Sequence, residues 1–245
     1  MKTVLIIGHS HIGCIQQAHA ERGGKVDGLN IEFAPIGSDY YQPNLDAAGA
    51  LNPKIARIVT APRFDLIVSC VAGNAHFSLG LVNNPRKYDF VLPQAPDLAL
   101  EEGAEILPYG LIRQHLAEMA HETIPVLPAI CAIADAPVLH LESPPPVPAE
   151  NVQRHAKHFA PLIKHYGLAR RERIWRFWRL QAQMMMDICT EQAIPYLPAP
   201  AAMTDDHGFL NPVAWRDDPT HAGPAYGAAV LDQLSAYCAQ TEPAR

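Results

Sequence analysis

The most constraining stretch of the sequence lies near residue 10, where an apolar run meets a glycine, a serine and then a helical pattern. Residues 3–7 form the apolar run, Gly8 interrupts it, and helical spacing begins at Ile12. This succession is typical of a strand that is buried on both faces and turns tightly into a helix. Ser10 is therefore predicted at the carboxyl edge of a parallel sheet, beside the N–H groups of a helix N-terminus.

The rest of the chain alternates strand-like and helix-like segments. The predicted strands are residues 3–7, 31–36, 65–71, 136–141 and 194–197. The predicted helices are residues 12–22, 54–60, 111–122, 152–192 (with a break near Gly167) and 222–239. Residues 85–110 are rich in proline and acidic side chains and match no element. Such alternation predicts an α/β fold, a doubly wound parallel sheet of about five strands in three layers, as one domain over residues 1–245.

Composition and charge exclude several classes of protein. The 19 basic and 25 acidic residues give a net charge of −6, which argues against a general nucleic-acid binder. The five cysteines are scattered without a C-x-x-C pair, so we expect reduced thiols and no disulfide frame or zinc site. The apolar run before Gly8 is too short for a signal peptide, and no later stretch is long enough to span a bilayer. These features predict a soluble, cytoplasmic protein.

Polar clusters follow two of the predicted strands, and a third cluster precedes the last helix. They are residues 8–11 (Gly-His-Ser-His), 72–76 (Ala-Gly-Asn-Ala-His) and 215–221 (Trp-Arg-Asp-Asp-Pro-Thr-His). The carboxyl ends of parallel strands share one edge, so the first two clusters can meet there. The third can fold over the same edge. Asp218 and His221 are three residues apart in a turn, which allows the carboxylate to bind one imidazole nitrogen while the other faces outward.

The order of these residues resembles that of the SGNH (GDSL-like) hydrolases. The family has a serine after the first strand, a glycine after the second, an asparagine after the third and Asp-x-x-His near the C-terminus. The resemblance covers nearly the whole chain and implies a flavodoxin-like fold. It also implies that Ser10 is the nucleophile, that His221 is the general base and that Asp218 orients His221, with no cofactor and no metal.

The same resemblance implies an oxyanion hole built from the Ser10 N–H, the Gly37 N–H and the Asn74 side chain. Gly49 is a second candidate for the glycine, although it lies further from the end of its strand. Two departures from the family pattern indicate a divergent branch. The usual Gly-Asp-Ser is Gly-His-Ser at residues 8–10, and the usual Gly-x-Asn-Asp is Ala-Gly-Asn-Ala at residues 72–75.

Histidines and arginines admit other interpretations. Twelve histidines could suggest a metal site, but the motif order is the reverse of that in metallophosphoesterases, so His9, His11 and His76 are expected to line a pocket or to be satisfied polar groups. Residues 170–179 combine arginines with aromatic side chains. Their helical spacing favours a helix with one buried face, while the arginines could instead meet an acidic ligand, a partner or a membrane surface.

These observations together predict a serine esterase that hydrolyses an oxygen ester through an acyl-enzyme on Ser10. By family analogy the substrate is a small-molecule ester, with a small acyl group on a sugar or metabolite. The loops at residues 38–53 and 77–110 are expected to shape its pockets, with Tyr40, Tyr41, Phe77 and Tyr88. Two alternatives remain open: an O-acyltransferase that uses the same residues, and a non-catalytic binding module on this fold.

Overall fold

The computed structural model describes residues 1–240, so residues 241–245 of the predicted domain lie outside the described residues. Elements in the first part of the chain are β1 (Lys2–Gly8), α1 (Ile12–Glu21), β2 (Leu29–Pro35), α2 (Pro53–Val59), β3 (Leu66–Cys70), α3 (Ala75–Gly80), β4 (Tyr88–Asp89), β5 (Glu105–Ile106) and α4 (Tyr109–Met119). Those in the second part are α5 (Val126–Ile133), β6 (Val138–Leu141), α6 (Ala149–Arg154), α7 (Ala160–Tyr166), α8 (Arg171–Glu191), β7 (Tyr196–Leu197) and α9 (Pro224–Gln240). Short 3-10 helices lie at Asp39–Tyr41, Lys157–Phe159, Ala201–Met203 and Pro212–Ala214.

Five strands form one parallel sheet in the order β2-β1-β3-β6-β7. The chain first moves from β1 to β2 on one side and then returns to β3 on the other. The winding therefore reverses between β1 and β3, and the crevice outside the carboxyl ends of strands at such a reversal is where open α/β sheets bind ligands. The predicted flavodoxin-like, three-layer sheet of five parallel strands is confirmed.

Helices cover both faces of the sheet, as the continuous apolar run of β1 predicts. Val4 and Ile6 pack in the core that contains α1 and α9, while Leu5 and Ile7 pack in the core that contains α2 and α5. All four side chains are at most 1% exposed. This alternation buries β1 at the centre of the molecule, and a polar turn follows at its carboxyl end.

The predicted helix over residues 152–192 is divided in the structure. It consists of α6, a 3-10 helix, α7 and α8, and the predicted break is confirmed because Gly167 ends α7 with a φ of 78°. Sequence patterns missed α3, α5 and the small parallel sheet of β4 and β5. These elements have two to eight residues, which is too short for a periodic pattern to stand out.

The arginines of α8 bind groups within the protein. Arg176 forms a buried ion pair with Asp89, and its Nη2 donates to the carbonyl oxygens of residues 98–99 at 3.1 Å. Arg173 donates to the Leu79 carbonyl oxygen at 3.1 Å. The helix also has the predicted buried apolar face, with Phe177 in its centre. No helix within residues 1–240, α8 included, is long and apolar enough to cross a bilayer.

Gly227 provides a test of the close contact between α9 and α1. A Cβ atom on Gly227 would overlap the backbone carbonyl group of Cys14, which cannot move aside as a flexible side chain would. We expect Gly227→Ala to lower the free energy of unfolding by about 2–3 kcal/mol, measured by urea denaturation. The matched control is Gly110→Ala in α4, where a Cβ has no neighbour within 4 Å. This control should be neutral or stabilising by up to about 1 kcal/mol, and an equal loss in both variants would contradict the packing argument.

Candidate active site

Ser10 lies in the turn between β1 and α1 and is exposed. Its hydroxyl makes no hydrogen bond to any residue in the range 1–240, and its carbonyl oxygen accepts the Gly13 N–H at 3.1 Å. The turn is tight because Gly8 lies against β3: a Cβ atom on Gly8 would be 2.5 Å from the Cys70 carbonyl oxygen. The predicted position of Ser10 at the carboxyl edge of the central strand therefore agrees with the structure.

Asp218 and His221 form a hydrogen-bonded pair in the loop before α9. His221 Nδ1 lies 2.7 Å from Asp218 Oδ1, which also accepts the backbone N–H groups of Thr220 and His221 at 2.9 Å. Lys157 Nζ donates to Asp218 Oδ2 at 2.9 Å. Burial raises the pKa of Asp218, but these hydrogen bonds outweigh it and hold the pKa well below its usual range. The carboxylate is therefore charged and directs the Nδ1 proton of His221 toward itself.

Asn74 connects His221 to a second histidine. With the His221 proton on Nδ1, the Nε2 lone pair accepts from Asn74 Nδ2 at 3.0 Å. At the other end of the same amide, Asn74 Oδ1 accepts from His11 Nε2 at 2.6 Å. The structure thus brings Asp218, His221 and Asn74 together as a hydrogen-bonded row, but it contains no hydrogen bond between His221 and Ser10.

His9 occupies the position where the family pattern has an aspartate. Its Nδ1 accepts the Ala72 N–H at 3.2 Å, and its Nε2 donates to Asn44 Oδ1 at 2.9 Å. Asn44 is itself buried and donates to the Ile36 carbonyl oxygen at 2.8 Å. Burial lowers the pKa of His9, which favours the neutral ring that these two bonds require. His9 therefore joins the segments that follow β1, β2 and β3.

The two candidate oxyanion glycines differ in what their N–H groups bind. Gly37 lies beside the serine turn, since a Cβ on it would be 3.6 Å from the His9 Cα. Within the described part of the chain, the N–H groups of Gly37 and Ser10 have no hydrogen-bond acceptor. The Gly49 N–H instead donates to the Asp46 carbonyl oxygen at 3.0 Å. Gly37 and Ser10 thus have donors free for a ligand, whereas the donor of Gly49 is engaged.

Gln181 of α8 fixes the turn that presents Asn74. Its Nε2 donates to the carbonyl oxygens of Ala72 at 2.5 Å and Gly73 at 3.0 Å, and its Oε1 accepts the His76 N–H at 2.8 Å. Ala72 has a φ of 58°, a left-handed conformation that costs free energy for a residue other than glycine. The buried amide of Gln181 holds this turn in place. The sequence places Gln181 in the predicted helix over residues 152–192, and no motif there indicates this role.

Other supporting residues also lacked a sequence signal. Asn151 of α6 donates to the Asp218 carbonyl oxygen at 3.2 Å, and Lys157 binds its carboxylate. Both lie more than 60 residues from Asp218 in the chain, so no local motif links them. Within residues 1–240, no group of three or more histidine, cysteine or acidic side chains is arranged to hold a metal ion.

A cavity of about 510 Å³ lies beside this edge of the sheet. Its lining includes His9, Gly37 and residues 42–47 and 49 on one side, with residues 121–123 and Pro125 on the other. The loop at residues 38–53 thus contributes to a cavity, but Tyr40 and Tyr41 are not among the lining residues. The loop at residues 77–110 does not line this cavity, because Phe77 is buried in the core and Tyr88 packs against Arg173.

Comparison with solved structures finds proteins of acyl-ester chemistry. A GDSL-like lipase from Bacteroides thetaiotaomicron is 13% identical, with 98% of this chain and 89% of that chain covered and a TM-score of 0.42. A lipopolysaccharide acetyltransferase periplasmic domain from Salmonella ser. Paratyphi A is 10% identical, with 97% of this chain and 84% of that chain covered and a TM-score of 0.48. A carbohydrate acetylesterase from Sinorhizobium meliloti is 10% identical, with 99% of this chain and 100% of that chain covered and a TM-score of 0.43. The sequence matches no protein-family model and no curated protein.

At identities this low the similarity does not identify functional residues. The assignment of Ser10, His221, Asp218, Gly37 and Asn74 therefore depends on the chemistry of the site.

The buried histidines make stability depend on pH. Burial lowers the pKa of His11 to about 3, of His76 to about 4 and of His140 to about 3. Below a pH of about 6.5 these side chains take up protons in the unfolded chain but not in the folded one. The folded state should therefore lose stability as the pH falls toward 4, by about 1.4 kcal/mol per pH unit for each histidine.

Urea unfolding of the wild type at pH 7, 6 and 5 measures this dependence directly. The variant His140→Gln removes one of the three groups. Its free energy of unfolding should therefore fall less steeply between pH 6 and pH 5 than that of the wild type, by about 1.4 kcal/mol per pH unit. Identical slopes for the variant and the wild type would show that His140 is protonated in the folded protein.

Proposed function

We propose that the protein is a serine esterase of SGNH type, with Ser10 as nucleophile, His221 as general base and Asp218 as the residue that orients His221. The observation that supports it most strongly is the row of Asp218, His221 and Asn74 at the edge where the exposed Ser10 turn also lies. The Ser10 and Gly37 N–H groups and the Asn74 amide are the proposed oxyanion donors.

The first step is an exchange of hydrogen bonds around Asn74. In the free protein its Nδ2 donates to the His221 Nε2 lone pair, which is the site that must receive the Ser10 proton. A substrate carbonyl oxygen offers Asn74 Nδ2 another acceptor. As Asn74 turns toward this oxygen, the lone pair of His221 is released for the Ser10 hydroxyl.

Acyl transfer then follows in two halves. Ser10 Oγ attacks the ester carbonyl carbon while its proton passes to His221 Nε2, and negative charge develops on the carbonyl oxygen near the three donors. The tetrahedral intermediate expels the alcohol, which leaves with the proton from His221. Water then attacks the acyl-enzyme in the same way, with its proton passing to His221. The acid product is released, and Ser10 is regenerated with the proton from His221. Asp218, held charged by its hydrogen bonds, stabilises the imidazolium in both halves.

The cavity beside Gly37 favours a small acyl group on a polar alcohol. Polar and apolar groups both line it, but a long apolar chain that entered it would cover the carboxylates of Asp46 and Glu122. Asp46 and Glu122 supply carboxylates, and the residues that line this cavity include no lysine or arginine. This charge favours neutral or cationic alcohols, such as a sugar, over phosphorylated ones.

A fluorophosphonate probe tests the proposed nucleophile. We expect stoichiometric labelling at Ser10, located by mass spectrometry, and turnover of p-nitrophenyl acetate that falls about a thousandfold or more in Ser10→Ala and His221→Ala. Ser78→Ala is the matched control, because Ser78 is an exposed serine of α3 outside the site, and it should behave as the wild type. A folded wild type that neither labels nor hydrolyses the ester would favour a non-catalytic binding module.

The acyl group and the acceptor are tested with the same enzyme. Across p-nitrophenyl esters from acetyl to decanoyl, we expect kcat/KM to fall by about tenfold or more as the chain lengthens, because a long acyl chain in the cavity would take the Asp46 and Glu122 carboxylates out of water. A maximum at decanoyl would contradict this assignment. Adding a sugar shows whether water or the sugar accepts the acyl group. Formation of an O-acyl sugar in place of the free acid would identify an O-acyltransferase that uses the same residues.

A further inference from the structure

His11 lies beside the proposed site but has no part in the steps above. Its ring is 5% exposed, and its Nε2 is 2.6 Å from Asn74 Oδ1. The ring packs so closely on the backbone of Gly73 that any side chain there would overlap it. His11 also has its ring centroid 5.3 Å from that of His221. The ring is therefore held in one place, with one nitrogen on the amide that carries the proposed oxyanion donor.

Hydrogen-bond direction along the row is determined from its charged end. The Asp218 carboxylate can only accept, so His221 donates from Nδ1 and accepts at Nε2. Asn74 must then donate from Nδ2 to His221, which leaves its Oδ1 facing His11. His11 can satisfy this oxygen only by donating from Nε2, so its Nδ1 carries no proton.

Donation from His11 Nε2 to Asn74 leaves the second ring nitrogen of His11 unsatisfied, which costs free energy. His11 Nδ1 is buried and has no hydrogen-bond partner among the described residues. Burial, followed by repulsion from His221, lowers the pKa of His11 to about 3, so the ring remains neutral at physiological pH. A leucine would fill similar space without a buried lone pair, whereas the histidine provides a donor at the one point where Asn74 needs it.

We infer that His11 is a positioning residue that holds the Asn74 carboxamide with its N–H group toward the oxyanion. The two ends of a carboxamide have nearly the same shape, so packing alone does not choose between them. A rotated amide would aim its oxygen at the developing negative charge and would also face the lone pair of His221. This inference rests on the proposed function, since it assigns Asn74 to the oxyanion hole.

The test compares two substitutions of His11 that differ in their ability to donate. His11→Gln places an amide N–H near the position of Nε2 and should retain kcat for p-nitrophenyl acetate within about threefold. His11→Leu has no donor, and its kcat should fall by about 30- to 100-fold with KM nearly unchanged, somewhat less than the loss typical of an oxyanion donor. A purely structural role would predict equal losses in both variants.

A double substitution shows whether His11 acts through Asn74. Asn74→Ala alone should lower kcat by about 100-fold or more, and adding His11→Leu to it should lower kcat no further. Losses that multiply in full would overturn the inference, as would a His11→Leu variant with kcat within threefold of the wild type.

The position of the proton on the His11 ring can be measured in the wild type, which does not require that His11→Leu folds. Nitrogen-15 NMR of the imidazole groups should show His11 with its proton on Nε2, unchanged between pH 5 and pH 8. A proton on Nδ1, or a titration in that range, would overturn the inference. If the wild type neither labels at Ser10 nor hydrolyses esters, the proposed function alone is lost, and the tautomer still decides whether His11 donates to Asn74.

Discussion

The close pairing of β1 with β3 is the constraint on which the rest of the molecule depends. At the end of this pair Gly8 lies so near the Cys70 carbonyl group that no side chain fits, and both strands then turn outward together. The two turns are joined by hydrogen bonds from the Ala72 N–H to His9 Nδ1 and from His11 Nε2 to Asn74 Oδ1. Because the winding of the sheet reverses at this point, no crossover helix covers the turns, and polar groups can collect there.

Helix α8 supports the same edge from outside the sheet. Its Gln181 binds the turn that presents Asn74, while Arg176 holds a segment that has little regular structure. The Asp89 carboxylate also accepts the backbone N–H groups of Phe90 and Glu101, so its ion pair with Arg176 anchors the chain between β4 and β5. The buried Nε of Arg176 has no hydrogen-bond partner among the described residues, which offsets part of the stability that the pair contributes.

Sequence patterns predicted the parts of the structure that depend on local or periodic interactions. The five strands, the serine turn and the Asp218–His221 pair follow from apolar runs and from a spacing of three residues. Interactions between distant segments were not predictable in this way. Gln181, for example, lies within a predicted helix, and no local motif links it to the Asn74 turn about 100 residues earlier. Phe77 was predicted to shape a pocket but lies in the core, because the sequence of a helix as short as α3 does not indicate which way an aromatic side chain packs.

The contact between α9 and α1 determines whether Asp218 and His221 reach the serine turn. Ser10 lies in the turn after β1, whereas Asp218 and His221 lie about 200 residues later in the chain, in a loop that leads directly into α9. Gly227 is the point at which α9 seats on the backbone of α1. Local opening of this C-terminal helix would carry the proposed base away and leave the serine turn intact. The proposed esterase activity would therefore report the docking of α9, as distinct from the folding of the sheet.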